Sequence, residues 1–190
     1  MRIIKWRQFL KDGLLSDDKP ASITIGVFDG VHLGHQALIK RIVSYNADAG
    51  YVPVIFTFRQ NHKTKKLCDI QSFEERLAIF ERLGVQITVA IDFSEEFRQM
   101  PGLDFLQLLL EHCRIGFFAV GSDFRCGYQL DTNASAIAGY FAAQKIPVEI
   151  VPLVCDEQLP VSSSRIRAAI AGGDILKAQT MLGNMSRLAN

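Results

Sequence analysis

Residues 23–45 read ITIGVFDGVHLGHQALIKRIVSY, and this stretch sets the architecture we expect for the chain. It begins with Ile23–Phe28, a short apolar segment rich in β-branched and aromatic residues, which is typical of a buried strand. After a turn it continues into Gln36–Tyr45, where apolar residues recur every three or four positions, as on the buried face of a helix. The stretch therefore predicts a strand, a glycine-containing turn and a helix in succession.

Strand and helix patterns alternate along the rest of the chain. Four further apolar segments predict strands: Val52–Phe58, Val85–Ile91, Phe117–Val120 and Val148–Leu153. Helical spacing predicts helices over Ser72–Leu83, Leu103–His112, Ala134–Gln144, Ser163–Ala171 and Ile175–Leu182, the first with a Ser72–Glu75 capping box and Gly84 as its C-cap. The alternation predicts a Rossmann-like, doubly wound α/β fold, with a mostly parallel five-stranded sheet and helices on both faces.

Composition is that of one ordinary globular domain spanning residues 1–190. A net charge of +1 provides no general attraction to nucleic acid or to an anionic membrane. No apolar run is long enough to cross a bilayer and no signal peptide precedes the first strand, so we expect a cytoplasmic protein. The four cysteines are far apart and form no C-x-x-C pair, which argues against a zinc site and a disulfide framework.

The turn after the first predicted strand, Gly26–His35, is the first place to expect a ligand, because ligands of open α/β sheets bind at the carboxyl ends of strands. A helix start there offers free N–H groups to a phosphate. His32 and His35 are three residues apart, so both imidazoles can donate to one phosphate group. The alternative is a glycine-rich turn with two partly exposed histidines; two such histidines with Gly34 between them favour phosphate binding.

Two later segments reach the same edge of the predicted sheet. Ser162–Arg167 combines hydroxyls, a helix start and arginines; it is either an anion site, with Arg167 better placed than Arg165, or a plain helix cap with solvated arginines. Gly121–Gly127 follows the fourth strand and is either a binding loop or a tight turn with a local Asp–Arg pair.

Taken together in this order, the three segments resemble the nucleotidylyltransferase superfamily, and most closely the FAD synthetase (FMN adenylyltransferase) module of bacterial bifunctional riboflavin kinase/FAD synthetases. The resemblance implies ATP and FMN as substrates, FAD and pyrophosphate as products, and Mg²⁺ bound with the ATP phosphates rather than by protein ligands. No covalent intermediate is implied.

The resemblance also implies roles for individual residues. Catalytic contacts to the phosphates are expected from His32, His35, Ser163, Ser164 and Arg167. Contacts to the nucleotide or the flavin are expected from Gly26, Val27, Phe28, Asp29, Gly34, Asp123, Arg125 and His62.

The chain departs from the family pattern on the flavin side. Asn61-His62-Lys63 stands where Pro-His-Pro is usual, and Cys126 replaces the second aromatic residue of an Asp-Phe-Arg-Phe-Gly motif. Loss of an aromatic face removes a stacking surface for an isoalloxazine ring. Two alternatives therefore remain open: adenylyl transfer to another phosphorylated acceptor, and a non-catalytic nucleotide- or flavin-binding module.

A riboflavin kinase domain is not expected in these residues, since the chain stops at Asn190. FMN would then come from a separate riboflavin kinase, or the 190 residues would be a fragment of a bifunctional enzyme.

Overall fold

A computed structural model describes residues 1–14, 19–59 and 69–184. In chain order the elements are β1 Arg2–Lys5, α1 Trp6–Asp12, β2 Ala21–Gly26, α2 Leu33–Ala49, β3 Val52–Phe58, α3 Phe73–Arg82, β4 Ile87–Ile91, α4 Glu95–Gln99, α5 Gly102–His112, β5 Ile115–Gly121, β6 Arg125–Cys126, β7 Thr132–Asn133, α6 Ala134–Ala143, β8 Val148–Val151, β9 Cys155–Asp156, β10 Leu159–Pro160, α7 Ser163–Ala171 and α8 Ile175–Leu182.

Within the described residues, the central sheet contains six parallel strands in the order β1-β4-β3-β2-β5-β8. The predicted doubly wound α/β fold is confirmed, but the predicted number of five strands is wrong. The additional strand is β1, which pairs with β4 at the edge of the sheet, Arg2 opposite Ile87. Only Ile4 of β1 is buried, so this strand lacks the apolar run that marks the interior strands of a parallel sheet.

One face of the sheet is covered by α1, α5 and α6, and its core is rich in aromatic rings. Trp6 stacks on Phe9 and on Phe105, with ring centroids 5.3 and 5.8 Å apart. Phe9 meets Phe56 of β3 edge-on at 5.1 Å and is fully buried. Helix α1 was not expected from the sequence, because its seven residues are too few to display a clear helical period.

The opposite face is covered by α2 and α3, whose buried residues include Ile39 and Phe80. Ser72 caps α3 and forms the predicted capping box with Glu75, so this prediction is confirmed. Gly84 follows the helix with a φ of 95°, the left-handed conformation expected of a C-cap glycine.

Helices α7 and α8 form a hairpin beyond the sheet, with the bounds expected from the sequence. They pack around a small cluster of their own, made of Val161, Ile166, Ala178, Met181 and Leu182. The side-chain amide of Gln36, in the first turn of α2, donates to the carbonyl oxygens of Val31 and Leu182, both at 2.8 Å. The hairpin is thereby attached to the start of α2.

Short antiparallel pairs complete the described part of the chain. β6 pairs with β7, and β9 pairs with β10. Among the described residues, no helix is both long and apolar enough to cross a membrane.

The aromatic core predicts a large effect for Phe9→Ala. Truncation of this fully buried ring should lower the free energy of unfolding by about 3–5 kcal/mol, because it removes apolar contacts and leaves a cavity. Urea denaturation measures the change. Leu176→Ala is the control: this side chain is 85% exposed, so its loss should cost no more than about 0.5 kcal/mol. Equal effects in the two variants would contradict the packing of α1.

Candidate functional site

The candidate site lies where the strand order reverses, between β2 and β5. β2 leads to β3 on one side of the sheet, whereas β5 leads to β8 on the other. Thr24 is paired with Ala119, so the ends of these two strands, Gly26 and Gly121, lie at the same edge. Helix α2 begins seven residues after Gly26 and directs its free N–H groups to this edge.

The loop between β2 and α2 has an unusual backbone. The predicted strand extended to Phe28, but β2 ends at Gly26 and Phe28 has a φ of 54°. Val31 also has a positive φ, and both side chains are buried. A left-handed conformation costs a non-glycine residue on the order of 1–3 kcal/mol and persists only where the surroundings enforce it. The loop is therefore held in one strained conformation.

Gly30 and Gly34 allow close packing in this loop. Gly30 has a φ of 84°, and a Cβ atom there would lie 3.1 Å from Ile70 Cδ1. A Cβ at Gly34 would lie 3.3 Å from the ring of His32. Larger residues at these positions would displace the groups that shape the site.

The two histidines form a stacked pair. Their ring centroids are 3.6 Å apart with an interplanar angle of 18°, and Phe28 meets His35 edge-on at 5.2 Å. The backbone N–H of His35 donates to Nδ1 of His32 at 3.4 Å. Since Nδ1 is the acceptor, a neutral His32 carries its proton on Nε2. Nδ1 of His35 is buried and has no hydrogen-bond partner among the described residues.

Both imidazoles are uncharged at neutral pH. Burial lowers the pKa of His32 to about 4. Burial, followed by the influence of His32 and Arg76, holds the pKa of His35 well below its ordinary value. The pair can therefore supply neutral N–H donors and carries no positive charge.

Asp29 connects the loop to helix α7. This residue is 3% exposed, and its carboxylate forms an ion pair with Arg167 and accepts from the backbone N–H of Ile70 at 2.9 Å. The hydroxyl of Ser163 donates to the backbone carbonyl of Asp29 at 2.8 Å. Two predicted site residues, Ser163 and Arg167, therefore both contact a third, Asp29.

The other residues at the start of α7 have separate places. Ser162 caps the helix by accepting from the backbone N–H of Arg165. The guanidinium of Arg165 pairs with Asp156 at 3.1 Å and donates to the carbonyls of Leu159 and Pro160, so it ties α7 to the β9–β10 hairpin. Ser164 is exposed.

The loop after β5 reaches the same edge but is more open. Asp123 and Arg125 are exposed, and no ion pair joins them in the described part of the chain. Phe124 and Cys126 pack against the aromatic core. Burial, with a smaller contribution from Asp131, raises the pKa of the Cys126 thiol to about 12, so it is a neutral apolar group.

One predicted site residue lies outside the described part of the chain, and one buried residue near the site was not predicted. His62, with Asn61 and Lys63, lies outside the described residues. Arg76 was missed: its side chain is only 1% exposed, and its guanidinium donates to the carbonyl of Val27 at 2.6 Å. Arg76 lies three residues after Phe73 and four before Phe80, on the apolar face of α3. This spacing was the signal in the sequence that could have indicated its burial.

The lowered pKa of His32 predicts a pH-dependent stability. Between pH 6.5 and about pH 4 the unfolded chain binds a proton that the folded chain excludes, so stability should fall as the pH falls. One such group contributes at most about 1.4 kcal/mol per pH unit. Chemical denaturation at several pH values measures this slope, and His32→Gln should remove the part due to His32. An unchanged slope in the variant would contradict a buried neutral ring.

Comparisons with known proteins identify relatives of this chain. The bifunctional riboflavin kinase/FMN adenylyltransferase of Buchnera aphidicola subsp. Schizaphis graminum is 29% identical over 174 residues, covering 86% of this chain and 54% of the relative. A Listeria monocytogenes protein named FAD synthetase is 25% identical over 175 residues, covering 88% of this chain and 70% of that protein. The chain thus spans about half the length of the bifunctional relative.

A solved structure is also similar. A Streptococcus pneumoniae protein named as a macrolide-efflux protein has a TM-score of 0.83 and 27% identity, covering 96% of this chain and 60% of that one. The family model for FAD synthetase matches residues 14–165, which include the loop after β2, the loop after β5 and the start of α7. Because this match extends over most of the chain, the protein belongs to the FAD synthetase family.

Proposed function

We propose that this chain is an FMN adenylyltransferase, which converts ATP and FMN to FAD and pyrophosphate. The observation that carries the proposal is the contact of Ser163 and Arg167 with Asp29, which places the serine–arginine segment against the histidine loop. The start of α7, with its hydroxyl and guanidinium groups, thereby lies against the loop that carries the imidazoles into α2, and such groups together suit a polyphosphate. The names of the relatives support the same activity.

In the proposed reaction a phosphate oxygen of FMN attacks the α-phosphorus of ATP. The bond from this phosphorus to the oxygen bridging to the β-phosphate breaks, and pyrophosphate leaves with the bonding pair. The protein contributes alignment and stabilisation of charge on the departing group. We assign hydrogen bonding to His32 and His35, and charge stabilisation to Arg167, with Ser163 and Ser164 as further phosphate ligands.

Nucleoside contacts are proposed for the loops at the ends of β2 and β5. Gly26, Val27, Phe28 and Gly34 supply backbone and packing surface, and the exposed Asp123 and Arg125 are available to a ligand from the other side. For Asp29 we propose an indirect role, since its carboxylate is already engaged by Arg167 and Ile70.

Magnesium is proposed to enter with ATP. We propose that phosphate oxygens and water hold this ion, because magnesium gives up its water ligands reluctantly. Its contribution would be to offset phosphate charge.

We also propose a source of FMN and a cellular location. Riboflavin kinase activity forms part of the names of the bifunctional relatives, so we propose that such an activity, on the same polypeptide or on a separate protein, supplies FMN. We propose a cytoplasmic location, where ATP and FMN are available.

One observation favours an acceptor other than FMN. Cys126, a small neutral thiol packed against the core, provides no aromatic face for a flavin ring. The alternative is therefore adenylyl transfer to another phosphorylated compound.

The two functions are separated by a direct assay. The protein is incubated with magnesium, ATP and FMN, and FAD and pyrophosphate are measured; both should appear in equal amounts. Absence of FAD at every FMN concentration would refute the proposed function. Pyrophosphate release with other phosphorylated acceptors would then support the alternative.

His35→Ala should lower turnover by on the order of 10² or more, because a preorganised hydrogen-bond donor is lost. FAD formation under saturating substrates measures the effect. His112→Ala is the control, since His112 lies on α5, on the opposite face of the sheet, and its loss should leave turnover unchanged. Wild-type turnover in His35→Ala would remove this histidine from the mechanism.

Arg167→Lys should lower kcat/KM for ATP by about tenfold or more, because an ammonium cannot reproduce the planar fork of a guanidinium. The matched control is Arg165→Lys, two residues earlier on the same helix. Arg165 holds the β9–β10 hairpin, so this change should reduce thermal stability and leave kcat/KM close to wild type. The opposite ranking of the two variants would contradict the assignment of Arg167.

A further inference from the structure

Arg76 is a buried arginine with an unusual set of partners. It is among the largest fully buried side chains and forms no ion pair with any carboxylate in the described ranges. Its Nε is buried without a hydrogen-bond partner among those residues. Burial of a charge without a close counter-charge is costly, so the hydrogen bonds of the guanidinium, which include one to Thr57 Oγ1 at 3.4 Å, have to offset that cost.

The guanidinium instead binds the carboxyl ends of two adjacent strands. Nη1 donates to the carbonyl of Val27 at 2.6 Å, directly after β2. Nη2 donates to the carbonyls of Phe58 and Arg59, at 3.1 and 3.0 Å, at the end of β3. One side chain therefore links both strand ends at the ligand edge of the sheet.

The contact with Val27 acts on the strained loop. The next residue, Phe28, has a φ of 54°, and its ring packs edge-on against His35 at 5.2 Å. A fixed Val27 carbonyl helps to hold Phe28 in this conformation and, through its ring, holds the imidazole of His35. Arg76 is thus connected to the histidine pair without touching it.

The positive charge of Arg76 also acts electrostatically on the candidate site. It contributes to the lowered pKa of His35, after burial and the influence of His32. The acidic groups that act on Arg76 itself are Asp29, Asp69 and Glu74, and none of these described residues forms an ion pair with its guanidinium. The carboxylate of Asp29 is paired with Arg167. A buried cation without a close counter-ion raises the local potential and favours an anion beside it.

We propose that Arg76 is a positioning residue for the adenylyl transfer: its forked guanidinium sets the Val27–Phe28 backbone that orients His35, and its charge attracts the ATP phosphates from behind the loop. The part of this inference that concerns the effect of Arg76 on turnover rests on the proposed function. Its effect on ATP affinity is independent of the acceptor.

Two substitutions separate the effect of the forked hydrogen-bond donors of Arg76 from the effect of its positive charge. Arg76→Lys keeps a positive charge but cannot donate to both strand ends, so kcat should fall by about tenfold or more while the affinity for magnesium–ATP stays within about threefold. Arg76→Met removes charge and donors, so magnesium–ATP should bind at least about tenfold more weakly. FAD formation gives kcat, isothermal titration calorimetry gives the affinity, and thermal unfolding monitors the fold. Arg82→Met, at an exposed position of the same helix, is the control and should match wild type.

The outcomes are decisive in each case. A folded Arg76→Lys with wild-type kcat, or a folded Arg76→Met with wild-type ATP affinity, overturns the proposal, because a purely structural arginine would change only thermal stability. If Arg76→Met does not fold, Arg76→Gln takes its place as the neutral variant. If the wild type makes no FAD, the proposed function fails, and the difference in ATP affinity between the charged and neutral variants still decides the role of Arg76.

Discussion

The ion pair between Asp29 and Arg167 is the contact on which the candidate site depends. It joins residues 138 positions apart in the chain, and the Asp29 carboxylate is almost fully buried. A buried carboxylate needs a partner, so the loop after β2 is complete only with α7 docked against it. Ser163 reinforces the contact through the backbone of the same residue. The histidine loop and the serine–arginine segment are therefore joined in one structural unit, and we treat them as one candidate site.

Charge and hydrogen bonding are divided between different side chains in this site. The histidines are held neutral by burial, so positive charge has to come from arginines such as Arg167 and Arg76. This division suits a polyphosphate ligand, because neutral N–H donors remain available without repelling the nearby guanidinium groups. An arriving phosphate would itself raise the pKa of the rings, since an anion favours their protonated form.

Much of the fold could be predicted because interior strands of a parallel sheet are continuous apolar runs, and the edge at which ligands bind follows from the topology. β1 could not be predicted, because an edge strand with one buried residue has no such apolar run. The strand was expected to continue to Phe28, because an apolar pattern does not reveal a left-handed backbone. Arg76 was missed since arginine on an amphipathic helix usually extends to solvent, and no local pattern indicates that Asp29 and Arg167 meet.

The α7–α8 hairpin has a core of its own, and polar contacts at Asp29 and Gln36 tie it to the loop and to α2. Such a unit can open while the two larger cores on either side of the sheet stay closed, so its amide protons should exchange at a lower free energy than those of β2 or β3. A nucleotide held between loop and hairpin would then leave through a local opening. The rate of product release would then depend on these polar contacts and on the packing of Ile70 and Val154 against the hairpin core, and selection could tune it without altering the sheet.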